Sequence, residues 1–164
     1  MLIIFGGLPG TGKTTLSRAL AAQLGALHLR IDTIEQALRG SAALEDDVMD
    51  AGYRAGYAVA RDNLMLGRTV IADSVNPLAL TRSAWRAAAA GAPVVEIEVI
   101  CSDTNEHRRR VESRLPDIPG LEPPTWHDVC ARDYESWDGP HIIIDTARLP
   151  VTDALQQILS KLRD

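Results

Sequence analysis

Cysteine is scarce: Cys101 and Cys130 are the only two in 164 residues, too few and too far apart for a disulfide framework or a metal-binding pair. They read as ordinary thiols of a reducing compartment, and the cytoplasm is the expected location. Long apolar runs are missing as well. The start Leu2-Ile3-Ile4-Phe5 is too short for a signal-peptide core, and no stretch could cross a bilayer, so neither secretion nor membrane insertion is expected. Nor is there a basic excess. With 17 basic and 22 acidic residues the net charge is −5, which lacks the footprint of a protein that grips long nucleic acid. Internal repeats and linkers are absent, so one domain over residues 1–164 is expected, long enough to bury a full core. Apolar residues make up 46% and charged residues 24%, ordinary values for a soluble globular chain. None of these features specifies an oligomeric state.

What the sequence does have is Gly7-Leu8-Pro9-Gly10-Thr11-Gly12-Lys13-Thr14-Thr15, which fits G-x-x-x-x-G-K-[ST] and follows the apolar run by one residue. Such a loop works when a buried strand delivers it and a helix starts at its end, so that backbone N–H groups and the helix dipole converge on one anion. Both flanks are present, the helical run being Leu16 to Leu24. The pattern predicts ATP binding. Gly7, Gly10 and Gly12 allow close backbone approach, Lys13 reaches the β- and γ-phosphates, Thr14 ligates Mg²⁺ and Thr15 lies near the α-phosphate.

Further along, Ala26 to Ile31 alternates as a strand, and Asp32 closes it on the sheet edge that carries the phosphate loop. Asp32 has two readings: an N-cap for a helix over Thr33–Arg39, or a base facing the γ-phosphate. A helix is expected from Glu45-Asp46-Asp47 to Gly67, with Tyr53 and Tyr57 one turn apart. The two rings are core or acceptor pocket, and Arg54 and Arg61 are solvated or substrate-facing. Arg68 to Ser74 is a β-rich run ending in Asp73, a candidate Mg²⁺ ligand. Asn76 either touches substrate or caps a helix starting at Pro77.

A helix over Leu78–Ala90 precedes a strand, Pro93–Cys101, whose Glu96 and Glu98 suggest a position near the sheet edge. Ser102-Asp103 caps a helix through Arg114, on which Arg110 and Arg114 share one face as a clamp suited to a triphosphate, with His107 on the surface. The proline-rich stretch Leu115–Pro124 is the one long loop, and with the preceding helix it marks a lid around 104–124. A helix opening at Thr125-Trp126 runs past Tyr134 and Trp137. The last strand is His141–Thr146, and Val151–Leu162 is a closing helix with Thr152 or Asp153 as cap. Strands alternating with helices imply a five-stranded parallel sheet covered on both faces, a three-layer α/β sandwich.

Taken together, the phosphate loop, Arg30-Ile31-Asp32, Val70-Ile71-Ala72-Asp73 with Asn76, the arginine-bearing helix, Pro123-Pro124-Thr125-Trp126 and Ile144-Asp145-Thr146 resemble small P-loop kinases of the zeta-toxin and polynucleotide-kinase-like group. That AAA-type group includes chloramphenicol phosphotransferase and is akin to gluconate kinases. The resemblance spans nearly the whole chain. It implies a P-loop, nucleotide-kinase-like fold and transfer of the γ-phosphate of ATP, with Mg²⁺, to the hydroxyl of a small molecule. It also implies Asp32 as base, Lys13, Arg110 and Arg114 around the transferred group, and Thr146 and Arg148 beside adenine. Arg54, Tyr57 and Asn76 join Asp32 as candidates for the acceptor side. The alternatives are a nucleoside monophosphate kinase using Arg30, Arg39 and Arg54, a polynucleotide 5′-end kinase, or an ATP-dependent switch with weak ATPase activity.

Overall fold

A computed structural model describes residues 1–41 and 48–163. The start expected for the long helix at Glu45-Asp46-Asp47 lies outside the described residues. Five parallel strands, β1 (Leu2–Gly6), β2 (Leu27–Arg30), β3 (Val70–Asp73), β4 (Val94–Ile100) and β5 (Ile142–Asp145), form one sheet in the order β2-β3-β1-β4-β5. The helices are α1 (Lys13–Leu24), α2 (Ile31–Arg39), α3 (Ala51–Met65), α4 (Ala79–Ala88), α5 (Thr104–Ser113), α6 (Trp126–Ala131) and α7 (Val151–Lys161).

The central position of β1 follows from its composition, since only a strand buried on both faces can carry an unbroken apolar run. Its alternation then splits the core. Ile3 and Phe5 point toward Leu16 and Leu20 of α1 and Ile158 of α7, whereas Leu2 and Ile4 point toward Ala60 and Leu64 of α3 and Trp85 of α4. Helices therefore cover both faces, and the chain crosses from one side of β1 to the other between β3 and β4. Ligands of open parallel sheets bind outside the carboxyl ends of the strands at such a switch point, and the phosphate loop leaves β1 there.

Several boundaries differ from those expected. Helix α2 begins at Ile31, so Asp32 sits in its first turn and Arg30 takes the cap position. Strand β4 lies beside the edge strand β5, near the sheet edge as expected, but its carboxylates are partnered: Glu96 is neutralised by Arg86 at 2.9 Å, and Glu98 accepts from Tyr134 at 3.1 Å. The capping box of Thr125 and Asp128 starts α6 as anticipated, but the helix stops at Ala131. Beyond it Glu135 N–H bonds the Pro77 carbonyl at 2.8 Å, and Trp137 covers Gly6 so closely that a Cβ there would lie 2.3 Å from the ring. Tertiary contacts override the helical propensity of that segment. Helix α7 begins after Pro150 with no side-chain cap.

Where α3 crosses Ile31 and Trp85, a glycine gives the closest fit. A Cβ on Gly56 would lie 2.6 Å from Ile31 Cδ1 and 3.2 Å from the Trp85 ring. Gly56→Ala gains about 1 kcal/mol of helix propensity but overpacks the core at a cost of about 1–3 kcal/mol. Overpacking should win, lowering the urea midpoint with an unchanged m-value; a midpoint at or above that of the parent would show that the interface yields.

Candidate active site

The phosphate loop is held in place from behind. Gly7 and Gly10 have φ of 141° and 85°, and side chains there would strike the Val99 carbonyl oxygen and Val111 at 2.2 Å and 2.5 Å, so neither tolerates a Cβ. Gly12, at φ 94°, is the N-cap of α1. The His107 Nε2 donates to the Pro9 carbonyl at 2.8 Å, with the ring edge-on to Trp126 at 5.2 Å. From β5 the Thr146 hydroxyl donates to the Thr11 carbonyl at 2.7 Å, while Arg110 donates to the Thr146 Oγ1 and carbonyl at 2.8 and 3.1 Å. His107 is thus buried against the loop, not on the surface as expected. Its charged neighbours obscured that it and Val111 sit one turn apart on the inner face of α5.

Two cavities flank Lys13. One, of about 490 Å³, runs along the loop and α1 and is lined by Gly12, Thr14, Thr15, Arg110, Thr146 and Val151 among others. The second, of about 540 Å³, is lined by Asp32, Glu35, Gln36, Arg39, Tyr53 and Arg132, and by Pro116, Pro123 and Pro124 of the loop after α5. Lys13 and Arg114 belong to both. Arg114 is the C-cap of α5 in an extended conformation, so the pair with Arg110 is not the one-face helical clamp expected; the chain turns at Arg114, and both side chains still meet the first cavity.

Electrostatics distinguish the charged groups here. Burial lowers the Lys13 ammonium pKa, and Asp73 and Asp32 counter the shift. Asp73 is buried, with neither carboxylate oxygen in a hydrogen bond of good geometry; His28 Nε2 lies 3.4 Å from it. Burial alone would raise its pKa, yet His28, Lys13 and Thr14 hold it below the ordinary carboxylate value. A buried carboxylate with spare lone pairs next to Thr14 fits a hard divalent cation such as Mg²⁺.

Asp117, on the loop after α5, gathers three arginines: Arg30 at 2.7 and 3.0 Å, Arg18 at 2.8 Å and Arg114 at 3.7 Å. The Arg30 hydrogen bonds hold its carboxyl far below the usual range. A depressed folded-state value contributes stability that is complete above the unfolded pKa of about 3.9 and is lost as pH falls through the folded one. Asp117→Asn should therefore flatten the decline of unfolding free energy below pH 4, read from urea unfolding at successive pH values; an unchanged decline would remove Asp117 from the acid response.

Several residues expected at the acceptor side are elsewhere. Arg54 is exposed and faces Asp50 at 3.9 Å. Tyr57 packs edge-on to Trp85 at 4.7 Å and donates to the Thr81 carbonyl, while its neighbour Tyr53 lines the second cavity. Asn76, fully buried at φ 49°, donates to the Phe5 carbonyl at 2.8 Å and neither caps α4 nor reaches a cavity wall; asparagine tolerates that left-handed backbone. Arg148 is exposed and pairs with Asp145 at 3.2 Å. Arg18, Gln36, Arg132 and Asp117 line the cavities without having carried a sequence signal, because they stand on helix faces and in a loop where no motif marks them.

A family model described as an AAA domain matches residues 2–117, well over half of the chain. The chain belongs to this family and is a P-loop kinase. Adenylyl-sulfate kinase of Myxococcus xanthus is 31% identical over 172 residues, covering 96% of this kinase and 88% of that protein. The corresponding protein of Oceanobacillus iheyensis is 28% identical over 173 residues, covering 98% and 82%. The crystal structure of Chaetomium thermophilum Kti12 in complex with ADP-AlF3 matches this kinase with a TM-score of 0.72 at 25% identity, covering 100% of this chain and 98% of that one. The nucleotide-binding P-loop fold is common to all of these. No helix among the described residues is long and apolar enough to cross a membrane.

Proposed function

We propose that this kinase transfers the γ-phosphoryl group of ATP to a hydroxyl of a small molecule, with Asp32 as general base. The observation that carries the reading is the pair of cavities with Lys13 and Arg114 as common wall, Thr14 and Thr15 on one side and Asp32 on the other. A hydrolase needs only the first cavity; a transferase needs both. ATP would lie in the first, with the base beside Thr146 and Arg110, and the acceptor in the second. The acceptor oxygen forms a bond to the γ-phosphorus as the bond to the β-phosphate oxygen breaks, ADP leaves, and the hydroxyl proton passes to Asp32. Lys13, Arg110 and Arg114 offset the charge on the phosphoryl oxygens. Thr14 and Asp73 would hold Mg²⁺, whose chemistry when bound is to neutralise the β- and γ-phosphates. Residues 104–124 act as a lid within a single kinase domain over 1–164. The negative net charge argues against long nucleic acid as acceptor, and the free thiols and ATP dependence suit the cytoplasm.

Arg39 and Arg132 on the second cavity favour an acceptor that carries an anion as well as a hydroxyl, which makes adenylyl sulfate, the substrate named for the relatives, and nucleoside monophosphates the first to test. The experiment is a γ-phosphate transfer screen over anionic nucleotides, sugar acids, neutral polyols and short oligonucleotides, read by gain of a phosphoryl group in acceptor mass. Transfer to a small hydroxyl compound is expected. ATP hydrolysis that no acceptor diverts, with ATP-dependent binding of a protein partner, would replace this reading with a switch.

A further inference from the structure

Arg30 is among the most deeply buried arginines, and the phosphoryl transfer itself makes no use of it. It ends β2 and caps α2, is 4% exposed, and gives both terminal nitrogens to the two oxygens of Asp117. Bidentate, charge-assisted pairs of this kind are the most directional contacts available to a side chain. Asp117 lies 87 residues away in sequence, on the loop that leaves α5. Arg18 of α1 closes on the same carboxylate, so Asp117 is tied at once to the sheet and to the helix that follows the phosphate loop.

Arg114 lies 3.7 Å from Oδ1 of that carboxylate, the oxygen that also accepts from Arg30. Arg114 has left the helix, so no i,i+4 partner within α5 orients it, and Leu115 next to it is 85% exposed. A long guanidinium side chain on a loop gives up rotamer entropy when fixed, and a fixed anion nearby is what reduces that loss at the moment of reaction. We propose that Asp117 is a positioning residue: anchored by Arg30 and Arg18, it holds the Arg114 guanidinium on the wall common to the two cavities. The inference rests on the phosphotransferase reading for what Arg114 does there, and its test is chosen to stand apart from the identity of the acceptor.

The experiment measures ADP formation with water as acceptor for the parent, Asp117→Asn, Arg114→Gln and the double variant. Asp117→Asn should lower kcat about tenfold with the KM for ATP within about threefold, because an interaction that matters only to the reacting group shows in kcat. Asp117→Glu should recover part of the loss. In the Arg114→Gln background the same substitution should change kcat less than about twofold, as expected when two residues act through one contact. Additive losses would overturn the proposal in favour of a purely structural tie, and a rise in kcat would overturn it in favour of a brake. A second readout needs no turnover: trypsin should cut the Arg114–Leu115 bond at least about threefold faster in Asp117→Asn than in the parent, and an equal rate would also overturn the proposal. Should no ATP be consumed with water by any of the proteins, the proteolysis comparison decides the positioning role by itself, while the phosphotransferase reading stands or falls with the transfer screen. If Asp117→Asn does not fold because Arg30 is left buried and unpaired, Arg30→Met with Asp117→Asn removes both charges and takes its place in each comparison.

Discussion

Lys13→Met should lower kcat/KM by about 10³-fold, the largest loss expected of any single substitution along the first cavity. Lys13 is the first residue of α1 and is buried between the cavities, so its ammonium is one charge in a small, water-poor volume where electrostatic interactions are strong. Burial lowers its pKa in the absence of nucleotide, and a triphosphate set beside it would favour the charged form again. Methionine keeps much of the stem volume and removes the charge, so the fold should survive and the thermal midpoint should change little. Nucleotide affinity should fall together with turnover, because in the proposed reaction the ammonium would contact the phosphates in ground state and transition state alike. The measurement is ATP titration by calorimetry alongside initial rates. Retention of parental affinity would mean that the loop amides alone bind the triphosphate.

How much of the molecule was legible from its residues depends on whether a feature is local. The phosphate loop is a local device: its glycines, lysine and flanking strand and helix are contiguous, and the backbone angles of Gly7, Gly10 and Gly12 follow from the motif. The sheet was equally readable, because a run such as Leu2 to Phe5 can only be central and alternating elements admit few topologies. What escaped was set by contacts distant in sequence. The Asp117 to Arg30 pair spans 87 residues, and the Asn76 to Phe5 bond spans 71. Strand β4 lies next to the edge strand as its Glu96 and Glu98 suggested, but the sequence did not show that Arg86, Tyr134 and His141 partner those carboxylates. Tyr53 and Tyr57 are one turn apart with tilted rings 6.0 Å from each other, and helical spacing alone does not say that Tyr53 lines a cavity while Tyr57 seals the core against Trp85.

Asp32→Asn should separate catalysis from binding. Asp32 lies in the first turn of α2, its carboxylate 3.6 Å from Arg30, about one-third exposed and on the wall of the second cavity with Lys13. That position leaves two physical roles for the charge. As part of a helix first turn it complements the macrodipole, worth about 0.3–1 kcal/mol, and asparagine would cost no more than that in stability. In the proposed reaction it would be the group nearest the acceptor hydroxyl and take the proton late in transfer, and loss of a general base costs about 10²–10⁴-fold. The second effect is much the larger, so turnover with an acceptor should fall at least about 10²-fold while ATP affinity stays within about threefold of the parent. The amide has nearly the shape of the carboxylate and can still hydrogen-bond the hydroxyl, which confines the change to proton acceptance. Rates at saturating acceptor, with nucleotide affinity taken from calorimetry, provide the check. Parental turnover in the variant would remove Asp32 from the chemistry and leave it as a helix-start residue. An equal fall in ATP affinity would instead show that its charge acts on the nucleotide site through Arg30 and Lys13.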